Sequence, residues 1–187
     1  MYYCISRYAI IHNITMNKAK KYMKPQDIVI LLKIILLRNK SWNQRYLSET
    51  LIISQSEISE SISRSEYSGL IYENGRKVVK PSLLEFLQYG ICYIFPEKPG
   101  SIVRGMPTAH SAYPLNEKII SEENYVWPTA KGNFKGQSII PLYPSVPEAA
   151  KLDPELYVLL ALIDSLRFGK IREKNLAIEE IKIRLYE

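Results

Sequence analysis

Cysteine and histidine are scarce in this chain: Cys4, Cys92, His12 and His110 are all there are in 187 residues. A disulfide framework needs further pairs and a zinc cluster needs closely spaced ligands, so neither is supported, and the cysteines are expected as small buried hydrophobes. Long apolar runs are also missing. The longest, Ile28 to Leu37, contains Lys33 and is well short of the roughly twenty residues that cross a bilayer. No membrane span is expected. The N-terminus lacks both a long apolar stretch and a small-residue cleavage site, so it does not read as a secretory signal, and the cytoplasm is the expected location. Glycine is sparse, with eight residues, and none forms a phosphate-binding loop. No acid-histidine-nucleophile set completes a catalytic site. Neither enzyme activity nor a cofactor or metal is expected.

What is present is the composition of a globular protein, 47% hydrophobic and 24% charged, with a net charge of +6. The positive excess is unevenly placed. Residues 1–22 carry Arg7, Lys18, Lys20 and Lys21 and no acid, whereas residues 91–187 hold as many acidic as basic side chains. Net charge alone is therefore a weak argument for nucleic acid, and the pattern of elements has to carry the inference.

That pattern is densest between Lys24 and Val79. Pro25 stands where a helix tolerates proline, and Ile28, Leu31, Leu32, Ile35 and Leu36 follow at helical spacing. Ser41 is a candidate cap for a second helix with Tyr46, Leu47 and Leu51 inward. Ser54 and Glu57 have the spacing of a capping box, which opens a third helix through Ile58 and Ile62 to Tyr67, ended by Ser68-Gly69. Ile71-Tyr72-Glu73 and Lys77-Val78-Val79 flank Asn74-Gly75, a dipeptide suited to a tight hairpin turn. Three helices and a hairpin in this order predict a winged helix-turn-helix domain.

The rest divides by composition. Lys80-Pro81 opens a fourth helix through Leu83, Leu84, Phe86, Leu87 and Ile91, expected to pack across the first and close the domain near Phe95. Eight prolines between Pro96 and Pro147 exclude long helices, yet interspersed aromatics such as Tyr125, Trp127 and Tyr143 are too many for a solvated linker. An ordered loop region wrapped on the core is expected, with one short strand between Gly136 and Leu142. Asp153-Pro154 then begins a helix with Leu156, Leu159, Leu160, Ile163 and Leu166 on one stripe, closed by Gly169. A last helix runs from about Lys170 to Tyr186. The fold class is thus mainly α with a small β component. The expected units are a basic extension over 1–22, the winged domain over 23–95, a Pro/aromatic-rich loop region over 96–152 and a C-terminal helical hairpin over 153–187. The hairpin either caps the winged domain or pairs with a second copy.

From Met23 onward the chain resembles a family of small bacterial winged-helix proteins described as MarR-like or winged helix-turn-helix transcriptional regulators. The resemblance lies in Lys24-Pro25-Gln26-Asp27-Ile28, in Phe95-Pro96-Glu97-Lys98-Pro99-Gly100, in Arg104-Gly105-Met106-Pro107-Thr108-Ala109-His110-Ser111-Ala112, in Leu142-Tyr143-Pro144-Ser145-Val146-Pro147-Glu148-Ala149-Ala150, and in Leu160-Ala161-Leu162-Ile163-Asp164. Residues 1–22 have no counterpart, which marks Met23 as an alternative start. Ser65 stands where such domains place a leucine toward the core. The resemblance implies a DNA-binding regulator.

The residues of the third helix fit that role. Ser54, Gln55, Ser56, Ser59, Ser63 and Arg64 share its outer face or N-terminal end, where side chains of a helix in the major groove meet base edges. Arg76 and Lys77 beside the hairpin turn suit the phosphate backbone or minor groove, with Lys40, Arg45 and Lys80 as further phosphate contacts. Glu57, Glu60 and Glu66 oppose phosphate and favour the alternative, a protein-interaction module of antitoxin or adaptor kind on the same scaffold. The partners expected are double-stranded DNA, a second copy in a homodimer on a pseudo-palindromic site, and a small-molecule effector. For the effector, Arg104, Thr108 and His110 are candidate ligands. The plainer and preferred reading is that glycine and proline shape a tight loop there, while Arg104 and His110 bond backbone carbonyls.

Overall fold

A computed structural model describes residues 22–38, 40–72, 75–130 and 132–186. The basic extension expected over 1–22 lies, apart from Tyr22, outside them. Pro25 opens α1 (Pro25–Leu37), and Asp27 closes its first turn by accepting the Lys24 N–H at 2.8 Å. Nearly every α1 side chain is buried, so the helix is enclosed all round rather than along one stripe. Even Lys33 is inside, its ammonium 2.7 Å from Asp153 Oδ2.

The next helices are short. Asn43, not Ser41, caps α2 (Gln44–Leu51) by accepting the Tyr46 N–H at 2.8 Å. Ile52, left-handed at φ 57°, turns the chain toward α3 (Gln55–Tyr67), which Ser54 caps through the Glu57 N–H. Gly69 at φ 70° reverses the chain after α3, and β1 (Ile71–Tyr72) pairs antiparallel with β2 (Lys77–Val78), Tyr72 facing Lys77 in the register. Gly75, at φ 79°, supplies one positive φ of the hairpin turn. Asn74 lies outside the described residues.

The fourth helix is shorter than the sequence pattern implies. It runs as α4 (Lys80–Tyr89), breaks at Gly90 and resumes as the single turn α5 (Ile91–Ile94). Helix α4 lies against α5 and the two C-terminal helices.

Residues 96–152 are more ordered than a loop region. Strand β3 (Ile102–Pro107) pairs antiparallel with both β4 (Tyr125–Pro128) and β5 (Phe134–Ser138), which pair parallel with each other, so the three strands close on themselves. Gly105, expected in a tight loop, is a mid-strand residue at the closure. A Cβ there would stand 2.1 Å from the Trp127 carbonyl oxygen, and one on Gly132 would stand 2.4 Å from Gly105 Cα. Only hydrogen at both positions lets the backbones approach so closely. After β5 come the short α6 (Val146–Leu152) and then α7 (Pro154–Phe168) and α8 (Ile171–Tyr186), the helical hairpin.

Helix α7 is the centre of the molecule. From Leu159 to Arg167 every side chain is buried, and α1, α5, α6, α8 and the 3₁₀ turn Ala109–Ser111 surround it. The hairpin therefore packs on the N-terminal helices from inside the same chain, with Pro154 and Glu155 at the start of α7 left exposed.

Within this apolar surround lies a polar hub. Asp164, fully buried, accepts the Thr108 hydroxyl at 2.7 Å, the Trp127 indole N–H at 2.6 Å and the Arg167 guanidinium at 2.7 Å. Arg167 donates further to the carbonyls of Phe95 and Ile140, both at 2.9 Å, and meets Glu97 at 3.2 Å. Burial pushes the Asp164 carboxyl above its ordinary range, although Arg167, Thr108 and Trp127 each favour its charged form. One helix thereby grips the chain before β3, the end of β3, β4 and the segment after β5. Asp164→Ala takes from Arg167 its buried carboxylate, leaving only Glu97 to pair it, removes the acceptor of Thr108 and Trp127, and is expected to cost about 3–5 kcal/mol. Urea denaturation of the full chain measures the loss.

Candidate nucleic-acid interface

The candidate surface is built on α3, and its orientation is set by Arg64. The guanidinium is 3% exposed and closes on Asp27, itself fully buried in the first turn of α1. Nε donates to Asp27 Oδ2 at 3.0 Å and Nη2 to Oδ1 at 2.6 Å, a bidentate pair, while Nη2 also meets Glu57 at 2.6 Å. Gln26 adds a 2.9 Å bond to the same Glu57 oxygen. Burial alone would lower the Arg64 pKa, but hydrogen bonds to Asp27 and Glu57 and their charges outweigh it and hold the group firmly cationic. Burial likewise acts to raise the Glu57 carboxyl, and Arg64 with Gln26 and Lys24 brings it below its ordinary value.

This corrects two expectations. Arg64 does not share the outer face of α3: position 64 lies at the edge of the side that carries buried Ile58, Ser61 and Ser65, and Asp27 draws the side chain inward. The Glu57 side chain does not complete a capping box either, since it is drawn to Arg64 and Gln26. Ser65 is buried, and its hydroxyl, like that of Ser61, finds no hydrogen-bond partner among the described residues.

The other expected readers remain outside. Ser54, Gln55, Ser56, Ser59 and Ser63 are all exposed, with Ser54 and Ser56 hydroxyls 3.1 Å apart at the helix start. Beside them Glu60, 62% exposed, and Glu66 also face solvent. The outer face of α3 is thus neutral to acidic.

The hairpin holds the cations. Arg76 is exposed but fixed: its guanidinium donates to the Trp42 carbonyl at 2.5 Å and lies 4.8 Å from the centre of the Trp42 ring. Trp42, half-buried between α1 and α2, thereby ties the hairpin to the α1–α2 connection in addition to packing on the core. Lys77, on β2, is exposed next to it. Lys40 and Arg45 are exposed as well, Arg45 paired to Glu49 at 2.8 Å.

Arg104, Thr108 and His110 do not converge. Arg104 is exposed on β3, opposite Lys135. Thr108 is buried on Asp164. His110 is buried elsewhere, Nε2 2.9 Å from the Glu123 carbonyl oxygen and Nδ1 3.4 Å from Glu173, with Tyr125 edge-on at 4.9 Å. The carbonyl bond anticipated for His110 is present, while the effector pocket is not formed by these three residues. Among the described residues no His/Cys/Asp/Glu group is arranged to hold a metal, and no helix is long and apolar enough to cross a membrane. Cys92 is half-buried, and Cys4 lies outside the described residues.

What sequence reasoning missed is the set of buried charges, Asp27, Asp164 and Arg167. The available signal was an ionisable group inside an apolar helical run, which is rarely buried without a partner.

Compared with protein families, curated proteins and solved structures, the chain finds no significant match in any of the three.

Two outcomes test this account. Arg64→Ala leaves Asp27 buried without its cation and is expected to destabilise by about 3–5 kcal/mol in chemical denaturation. Gln55→Ala and Ser59→Ala, on the outer face, are expected to change stability by less than about 0.5 kcal/mol. The second outcome is a pH profile. Burial lowers the His110 imidazole, but Glu173 and the Glu123 carbonyl raise it above its ordinary 6.5; for Glu173, burial raises and His110 with the Lys170 N–H lowers the carboxyl below its ordinary 4.5. The histidine contribution is complete below pH 6.5 and is lost as pH climbs through the raised value. The glutamate contribution is complete above pH 4.5 and is lost as pH falls through the lowered value. The pair therefore stabilises most between these limits, and the Tm difference between the parent chain and Glu173→Gln is expected to peak there and shrink on both sides.

Proposed function

We propose that the chain is a DNA-binding transcription regulator of winged helix-turn-helix type. In this reading α2, the turn at Ile52-Ile53 and α3 are the helix-turn-helix, and β1 with β2 is the wing. The observation that supports it most is the exposed polar ridge of Ser54, Gln55, Ser56, Ser59 and Ser63, flanked by Arg76 and Lys77 on the hairpin. Gln55 is suited to an adenine edge, the serines to phosphate or base, and the free amides at the start of α3 to a phosphate. The family resemblance from Met23 onward favours the same reading, and a cytoplasmic location is part of the proposal. A homodimer on a pseudo-palindromic site belongs to the proposal.

A second reading is favoured by one specific observation. With Arg64 buried, α3 offers DNA no exposed cation between Gln55 and Tyr67, while Glu60 and Glu66 are exposed. A protein-interaction module on the same scaffold accounts for that face equally well.

Fluorescence anisotropy with fragments selected from host DNA separates the two. Affinity is expected to fall steeply between about 50 and 200 mM salt. Arg76→Ala is expected to weaken all fragments similarly and reduce the salt slope by about one, whereas Gln55→Ala relaxes sequence choice. A flat salt response with both variants unchanged assigns the scaffold to protein interaction.

A further inference from the structure

A groove of about 830 Å³ opens between the hairpin, the end of α1, the start of α4 and the end of α8. Five cations line it, Arg38, Arg76, Lys77, Lys80 and Arg184, and no acidic side chain of the described residues does. Basic side chains around one concavity repel one another, Arg184 less so because Glu180 offsets its charge, and an anion with several charges relieves that repulsion. The cations are held in different ways. Arg184 is paired to Glu180, Arg76 rests on Trp42, and the Lys80 ammonium stands 5.8 Å from the centre of the Tyr186 ring. The Arg38 guanidinium forms no ion pair among the described residues. Lys80 is the first residue of α4, a ten-residue helix whose N-terminal amides add positive potential at that end of the groove. Its walls also carry the half-exposed rings of Tyr72 and Tyr186 over an apolar floor that includes Ile35 and Val78.

We propose that this groove binds a small phosphate-bearing ligand of nucleotide size, its phosphates between Arg38 and Lys80 and its ring beside Tyr72 and Tyr186. The volume falls within the roughly 300–1,000 Å³ of small-molecule pockets. A concave site suits such a ligand better than a duplex, which receives a protruding helix into its own groove. The inference stands apart from the DNA reading, because its test contains no DNA.

Titration of the full chain with ADP in the presence of EDTA, followed by calorimetry and tryptophan fluorescence, tests it. Trp127 is buried, so Trp42, under Arg76 at the hairpin root, is the reporter. Saturable binding is expected, with Arg38→Gln and Lys80→Gln each weakening it about tenfold, the loss of one charge-assisted contact. The unliganded Tm of both variants is expected to match the parent, which separates lost contacts from lost folding. Adenosine is expected to bind far more weakly than ADP. No binding of ADP, equal binding of ADP and adenosine, or unchanged affinity in both variants overturns the proposal.

Discussion

The rotation of α3 about its own axis depends on the burial of Arg64 against Asp27. The inner face of that helix is poor in apolar surface: Ile58 is fully buried, but its neighbours Ser61 and Ser65 contribute little to the hydrophobic effect. Such a face selects its own orientation weakly. A guanidinium locked in two hydrogen bonds to one carboxylate does so strongly, since turning the helix strands a charge in the interior at a cost of several kcal/mol. The net stabilisation from the pair is small, because desolvation offsets attraction, and its consequence is geometric. It fixes Ser59 and Ser63 outward.

The same device recurs at the centre of the molecule. Helices α1 and α7 are buried on nearly all sides, so burial of apolar area does not distinguish one rotation from another. Lys33 meeting Asp153 registers α1 against the start of α7, and Asp164 with Arg167 registers α7 against the β layer. Residues spread along the sequence supply these pins: Asp27 in the first turn of α1, Glu97 and the Phe95 carbonyl ahead of β3, Asp164 in α7. Ser145 donates its hydroxyl to the Leu51 carbonyl at 2.6 Å and joins the start of α6 to the end of α2. These contacts hold the fold together.

Local signals were legible where the chain punctuates itself. Pro25, Ser54, Gly69, Gly75 and Asp153-Pro154 each mark a boundary that the structure also has, because a missing N–H, a capping oxygen or a positive φ acts within a few residues. The three-stranded closure was not legible. Its strands are four to six residues long, two end in proline, and Gly105 owes its place to a carbonyl more than twenty positions away. For the candidate site, exposure of the serines followed from the period of α3, whereas the fate of Arg64 did not. Position 64 lies near the edge of the helical stripe, and only the presence of Asp27 across from it decides that the side chain turns inward.

Arg64 and Arg76 show what an arginine has left after its structural bonds. A guanidinium has five N–H donors. Arg64 commits four of them to Asp27, Glu57 and Glu60 inside a cluster of carboxylates, which cancel its charge toward an outside anion. Arg76 commits one to the Trp42 carbonyl and rests its face on an uncharged ring, so its positive charge is not cancelled and its other donors stay at the surface. Stacking also removes rotamer freedom before any ligand arrives, which lowers the entropic cost of a later contact. Any polyanion, whether a duplex or a small phosphate, therefore meets its first fixed cation at the root of the hairpin rather than on the serine ridge.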